Sequence, residues 1–67
     1  MTMLNQKPVK PGGEWMREVD KIGPEGDPVV FIQGFAVILD GCHATTGDVV
    51  HFEVQRVTDN YAIAEEV

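Results

Sequence analysis

A small set of aromatic and basic side chains carries the chemistry that is easiest to assign in this 67-residue chain. An aromatic ring can stack on an unpaired base, which contributes roughly 1–3 kcal/mol per base and needs little net charge. A lysine or arginine beside the ring can contact phosphate, and a histidine gains its charge between about pH 5 and 8. Six residues are candidates for contacts of this kind with a nucleic acid: Lys21, Phe31, Phe35, His51, Arg56 and Tyr61.

Each of these residues also has a simpler interpretation. The aromatic rings could pack in a core, with the hydroxyl of Tyr61 left at the surface. Lys21 and Arg56 could each form a single surface ion pair, which contributes little to stability. The sequence leaves both interpretations open.

Catalytic and metal-binding chemistry has no support in the pattern. The chain contains no serine, and its single cysteine has no assigned base. Cys42 and His43 are adjacent, and such neighbours rarely bind one metal ion without a CxxC or HxxH motif nearby. Nothing in the sequence fixes a catalytic pair among the carboxylates at Asp20, Glu25, Asp27 and Asp40. We therefore expect a protein that is not an enzyme and that holds no metal or cofactor.

The charge of the chain limits the size of any phosphate-binding surface. The formal net charge is −6, and residues 14–67 carry all eleven acidic residues against three basic ones. A nucleic-acid binder usually presents a large basic patch, because phosphate neutralisation supplies most of its non-specific affinity. We therefore expect any RNA binding to be weak and transient. Alternatively, the acidic surface only keeps a small protein in solution.

Short apolar runs separated by turn residues predict strands, and no segment has helical periodicity. Residues 1–13 contain two prolines and a Gly-Gly pair, so we expect a flexible N-terminal tail before a single domain at 14–67. A small five-stranded antiparallel, OB-like barrel is expected, with strands at 14–22, 29–33, 35–39, 48–57 and 61–66. The lone cysteine and the absence of a signal-peptide run predict a cytoplasmic location.

Two predicted turns set the register of the later strands. Gln33-Gly34 joins two apolar runs into a hairpin, and both faces of that hairpin are apolar. The pattern therefore leaves open which face is buried. A two-residue turn at Asp59-Asn60 would pair Arg56 with Ile63, and it predicts a core face of Val50, Phe52, Val54, Tyr61 and Ile63.

The order of several short motifs resembles the TRAM domain. The matching segments lie within residues 9–67 and are Asp20–Gly23, Gly26-Asp27, Ile32–Gly41, Gly47–Val50, Arg56-Val57 and Tyr61–Ala64. TRAM domains are small barrels similar to the OB-fold, found at the ends of tRNA-modifying enzymes and as free-standing archaeal proteins. The resemblance implies RNA binding, with the six candidate residues named above as the expected RNA-binding site, and an activity like that of an RNA chaperone that loosens structured RNA. It makes tRNA or structured single-stranded RNA the expected partner.

Several positions depart from the TRAM pattern and reduce its basic character. Pro28 stands where the family has glycine, and Phe31 occupies a position that is usually basic. His51 and Glu53 occupy positions that are often arginine or lysine. These departures support an alternative function, a protein-interaction domain that keeps the barrel but has lost its affinity for nucleic acid. Such a domain would use the apolar hairpin face or an exposed strand edge, and we expect no membrane partner.

Overall fold

A computed structural model describes residues 7–67, and the regular elements in that range are all strands. The strands are β1 Glu14–Glu18, β2 Lys21–Ile22, β3 Pro28–Ile32, β4 Phe35–Leu39, β5 Val49–Val57 and β6 Tyr61–Glu66. They form one sheet in the order β1-β5-β6-β4-β3-β2, in which only β4 and β6 run parallel. The predicted all-β class is confirmed. The predicted five-stranded antiparallel arrangement is wrong, because the sheet is mixed and has six strands.

The predicted first strand divides in two because the chain changes partners within it. β1 pairs with β5, whereas β2 pairs with β3. Between them, the Val19 N–H donates to the Asp48 carbonyl at 2.8 Å, and the Asp20 N–H donates to the Val29 carbonyl at 2.9 Å. β1 and β2 are therefore opposite edges of the sheet but neighbours in sequence. The sheet can connect its two edges in this way only by curling, and it forms a half-barrel.

The hairpin of β3 and β4 has the turn that its sequence predicts. Gln33 and Gly34 both have positive φ, 53° and 81°, as expected for a two-residue turn whose twist matches the strands. Direct pairing of Ile32 with Phe35 follows from that turn. The structure also decides which face is inside, since Val30, Ile32, Val37 and Leu39 are all buried in the core.

The hairpin of β5 and β6 contains a β-bulge at Gln55. Arg56 pairs with Ile63 as predicted, but Val54 pairs with Ala64. One extra residue on a strand moves the side chains beyond it to the opposite face. The predicted core face is consequently correct for β5, where Val50, Phe52 and Val54 are buried. It is wrong for β6, where Ala62 and Ala64 are buried and Tyr61 and Ile63 face outward.

Residues before β1 also contact the core. Val9 is only 5% exposed and belongs to the core cluster. The Gly12 N–H donates to the Val54 carbonyl at 2.7 Å, and the Val54 N–H donates to the Gly13 carbonyl at 2.8 Å. Residues 1–6 of the predicted tail lie outside the described residues. The contacts tie residues 9–13 to β5, and the predicted mobility of residues 7–13 stays a prediction.

Within residues 7–67, no helix is long and apolar enough to cross a membrane.

Candidate nucleic-acid interface

Two aromatic side chains lie in one row across the outer face of the sheet. Phe31 on β3 pairs with Ala36 on β4, and Ala36 pairs with Tyr61 on β6. Neighbouring strands lie 4.7–4.9 Å apart, so the Cα atoms of Phe31 and Tyr61 are separated by about 10 Å. The small side chain of Ala36 leaves space between the two rings. Phe31 is 39% exposed and Tyr61 is half-buried, so both rings have an accessible part.

A second row runs beside the aromatic one and has a cation at each end. Lys21 pairs with Val29, Val29 with Ile38, Ile38 with Ile63, and Ile63 with Arg56. Three aliphatic side chains thus separate two basic ones. We call the two rows together the outer platform, which consists of Lys21, Val29, Phe31, Ala36, Ile38, Arg56, Tyr61 and Ile63.

Asp20 and Lys21 hold Phe31 in place at one edge of the outer platform. β2 has only two residues, so it offers no backbone partner to the Phe31 N–H. The Asp20 carboxylate accepts that hydrogen bond at 2.7 Å. The Nζ atom of Lys21 lies 5.7 Å from the centre of the Phe31 ring, within the range of a cation–π interaction. The sequence interpretation missed this role of Asp20, because the predicted strand at 14–22 ran through this residue without a break.

The other basic groups of the predicted site have different surroundings. His51 lies on β5, and its Nε2 atom is 3.1 Å from Oε1 of Glu14. It is five residues from Arg56, roughly 15 Å along the strand. Across the described part of the chain, neither Lys21 nor Arg56 has a carboxylate within ion-pair distance, whereas Lys7 lies 3.8 Å from Asp59.

Phe35 lies on the inner face, away from the outer platform. It stands directly opposite Ile32, which is fully buried, and it packs half-buried against the core cluster. Of the six predicted site residues, four therefore lie on the outer platform, Lys21, Phe31, Arg56 and Tyr61, with Lys21 and Arg56 at opposite ends of its second row, about 19 Å apart. Phe35 and His51 lie apart from them. The sequence interpretation did not name the aliphatic members of the outer platform as site residues, and the pairing of Ile38 with Ile63 has no local signal because β4 and β6 run parallel.

Three glutamates form a row on the other half of the outer face. Glu14 on β1 pairs with Glu53 on β5, and Glu53 pairs with Glu65 on β6. Like charges directly opposite each other on neighbouring strands are destabilising. This acidic row repels phosphate, so a nucleic acid on the outer face is restricted to the side formed by β2, β3, β4 and the start of β6.

A cleft of about 300 Å³ opens onto the second row of the outer platform. Its floor is Val29 and Ile38, and its wall is the loop that connects β2 to β3. The Gly23 N–H donates to the Asp27 carbonyl at 2.8 Å, and the Gly26 N–H donates to the Gly23 carbonyl at 3.0 Å. Prolines at 24 and 28 further restrict this loop, so the cleft is preformed.

Cys42 and His43 do not form a site together. Cys42 is buried, and its Sγ atom lies 3.5 Å from Oε1 of Glu66, whereas His43 is exposed. In residues 7–67, no three His, Cys, Asp or Glu side chains are grouped so that they could hold a metal ion.

Comparisons with known proteins link this fold to archaeal proteins. A solution structure of a conserved protein from Methanococcus maripaludis matches with a TM-score of 0.85 and 30% identity, covering 98% of this chain and 91% of that one. The chain belongs to the family of that conserved protein. No protein-family model matches the chain.

The chain is also similar to part of a translation initiation factor. Over 57 residues the chain is 32% identical to translation initiation factor 2 subunit beta of Methanosarcina mazei. The matched region is 85% of this chain but 27% of that factor. The similarity thus concerns one part of a larger protein.

Proposed function

We propose that this protein is a TRAM-type RNA-binding module of the cytoplasm that holds a short unpaired RNA segment weakly and transiently, as an RNA chaperone or a tRNA-associated binder. The observation that carries the proposal is the aromatic row of Phe31 and Tyr61 on the outer platform, flanked by Lys21 and Arg56. The similarity to a translation initiation factor supports it. The proposal gives the chain a binding role and no catalytic one.

The outer platform suits single-stranded RNA better than duplex RNA, because it offers aromatic rings to unpaired bases and few cations to phosphates. Bases that have left a helix can stack on aromatic rings, and sequence-tolerant binders combine such rings with a few cations along the backbone. Two rings about 10 Å apart can each hold one base. Phosphates would lie near Lys21 and Arg56, at the two ends of the second row. The acidic row prevents any wider electrostatic contact, which keeps the complex short-lived.

A salt titration with a structured RNA that has an unpaired loop tests the proposal. Only Lys21 and Arg56 are available on the outer platform, and each contact with a single strand contributes about −0.7 to the slope of log K against log salt. We therefore expect a slope of about −1.4. A slope steeper than about −3 would mean that basic groups outside the outer platform bind the RNA.

Variants separate stacking from non-specific contact. Phe31→Ala should weaken RNA binding about fivefold or more, because one stacked base contributes roughly 1–3 kcal/mol. Met16→Ala is the matched control, since Met16 is also an apolar side chain on the outer face, is 65% exposed and lies on β1 beside the acidic row. It should leave binding unchanged. Equal effects of the two variants would contradict a stacking site at Phe31.

A second candidate function is a protein-interaction domain, and the acidic row is the observation that favours it. A surface with three aligned glutamates attracts basic segments of other proteins. RNA binding at low salt separates the two candidate functions. If neither single-stranded nor structured RNA binds at low salt, the protein-interaction function is the better one.

A further inference from the structure

The cleft beside β2 is a separate feature of the outer face with its own chemistry. Its floor of Val29 and Ile38 is apolar, and its wall contributes two carboxylate residues, Glu25 and Asp27. No basic residue lines it. A volume of about 300 Å³ lies at the small end of the range for ligand pockets, so one ring system fits and a larger group does not.

Position on the sheet connects this cleft to the aromatic row. Val29 and Phe31 are two residues apart on β3, which places their side chains about 7 Å from each other on the same face. A nucleotide next to one stacked on Phe31 therefore reaches the cleft. Lys21 pairs directly with Val29, so a cation is available beside the cleft for the intervening phosphate.

The charge of the cleft selects among the bases. Carboxylate oxygens only accept hydrogen bonds, so they favour a base edge that carries an amino group. Cytosine presents its N4 amino group and adenine its N6 amino group, whereas uracil has no amino group and its single N3–H donor lies between two carbonyl oxygens that a carboxylate repels. We infer that this cleft is a base-reading subsite that accepts an unpaired base with an exocyclic amino group and rejects uracil. The inference rests on the proposed RNA-binding function.

Cytosine and uracil form the decisive comparison because both are single-ring bases. RNA tetranucleotides of cytidine and of uridine are titrated into the ¹⁵N-labelled full chain. The cytidine tetranucleotide should bind about tenfold more tightly, the lower end of what one base-reading contact supplies. The amide signals of Gly26 and Ile38 should shift with the cytidine tetranucleotide and not with the uridine one.

The double variant Glu25→Gln, Asp27→Asn tests the role assigned to the carboxylates. It should bind both tetranucleotides somewhat more tightly, because repulsion of phosphate is reduced, and its preference for cytidine should fall to about twofold or less. Glu53→Gln is the control, since it also removes one carboxylate but lies on β5, two strands from Ile38. It should leave the tenfold preference intact.

The outcomes distinguish this inference from the function on which it rests. Equal binding of the two tetranucleotides by the unmodified protein would overturn the base-reading subsite and leave RNA binding standing. A preference for cytidine that survives in the double variant would overturn the assignment to Glu25 and Asp27. If neither tetranucleotide nor the structured RNA binds, both the subsite and the proposed function are wrong. If no RNA binds and an arginine-containing peptide shifts the amide signals of Gly26 and Ile38, the occupant of the cleft is a protein side chain.

Discussion

At the level of single residues, the outer platform depends on the contacts that hold Phe31 and on the small side chain of Ala36. The ring of Phe31 is usable because its own backbone N–H is bound by Asp20 and its ring is covered on one side by Lys21. Ala36 contributes through its small size, since it leaves the space between Phe31 and Tyr61 open. None of these contacts involves an unusual residue. The properties of the platform arise from which residues the register places side by side.

Cys42 provides a prediction that can be tested through pH. Burial raises the pKa of its thiol above the ordinary value of 9.0; the backbone of Ala44 partly opposes this, and the hydrogen bond to Glu66 adds to it. The folded state therefore holds the thiol proton more tightly than the unfolded state. The corresponding stability is fully present below pH 9 and is lost as the pH rises through the folded pKa.

Urea unfolding at a series of pH values between 8 and 11 measures this loss. Cys42→Ala lacks the thiol, so its free energy of unfolding should decrease less steeply above about pH 9 than that of the unmodified protein. The two proteins differ only at position 42, so the difference between the two curves isolates the contribution of Cys42. Parallel curves would show that the thiol titrates equally in both states.

At the level of elements, the comparison of the two hairpins shows what a sequence can reveal. The turn at Gln33-Gly34 needs two residues with positive φ, and it fixed the pairing of Ile32 with Phe35 correctly. The later hairpin contains the bulge at Gln55, whose neighbours Val54 and Arg56 fit a regular alternation equally well. With this bulge Ala62 and Ala64 face the core, and no local pattern in the sequence indicates the bulge.

The acidic row provides a prediction at the same scale. Glu53 stands between Glu14 and Glu65, so Glu53→Gln removes two opposed like-charge contacts at once. We expect its free energy of unfolding to rise by about 0.2–1 kcal/mol at low salt and by less at 1 M salt, where charges are screened. Urea unfolding at both salt concentrations measures the change.

Glu25→Gln is the matched control for this change. Glu25 is exposed in the loop before β3, outside every strand pairing. It should leave stability within about 0.5 kcal/mol of the unmodified protein. If Glu53→Gln is no more stable than the control, the opposed glutamates do not strain the sheet.

At the level of the whole molecule, the limits of the folded unit depend on residues before β1. Val9 is buried in the core, so Val9→Ala should lower the free energy of unfolding by roughly 1–3 kcal/mol. Val49→Ala is its control, because Val49 is 65% exposed and the same change should cost less than about 0.5 kcal/mol. Slow exchange of the Gly12 amide would agree with a large effect at Val9. Equal effects of both variants would agree with a domain that begins at residue 14, as the sequence predicts.

The sequence was most informative about local structure and least informative about how the sheet curls into a half-barrel. Strand positions and the hairpin turn follow from alternation and from the residues that tolerate positive φ. The curling of the sheet depends on the partner change at Val19 and Asp20, which joins β1 to β5 and β2 to β3. The candidate site shows the same difference: Phe31 was proposed from its residue type, whereas its alignment with Tyr61 depends on the parallel pairing of β4 and β6.

The position of β6 between β5 and β4 has a consequence for how the protein is made. β6 is the last of the six described strands, yet it lies between β5 and β4 and pairs with both of them. Until residues 61–66 have left the ribosome, β4 and β5 each keep an unpaired edge. Unpaired strand edges can pair with other chains. We therefore expect a nascent chain to be most prone to aggregation before β6 has paired with β4 and β5.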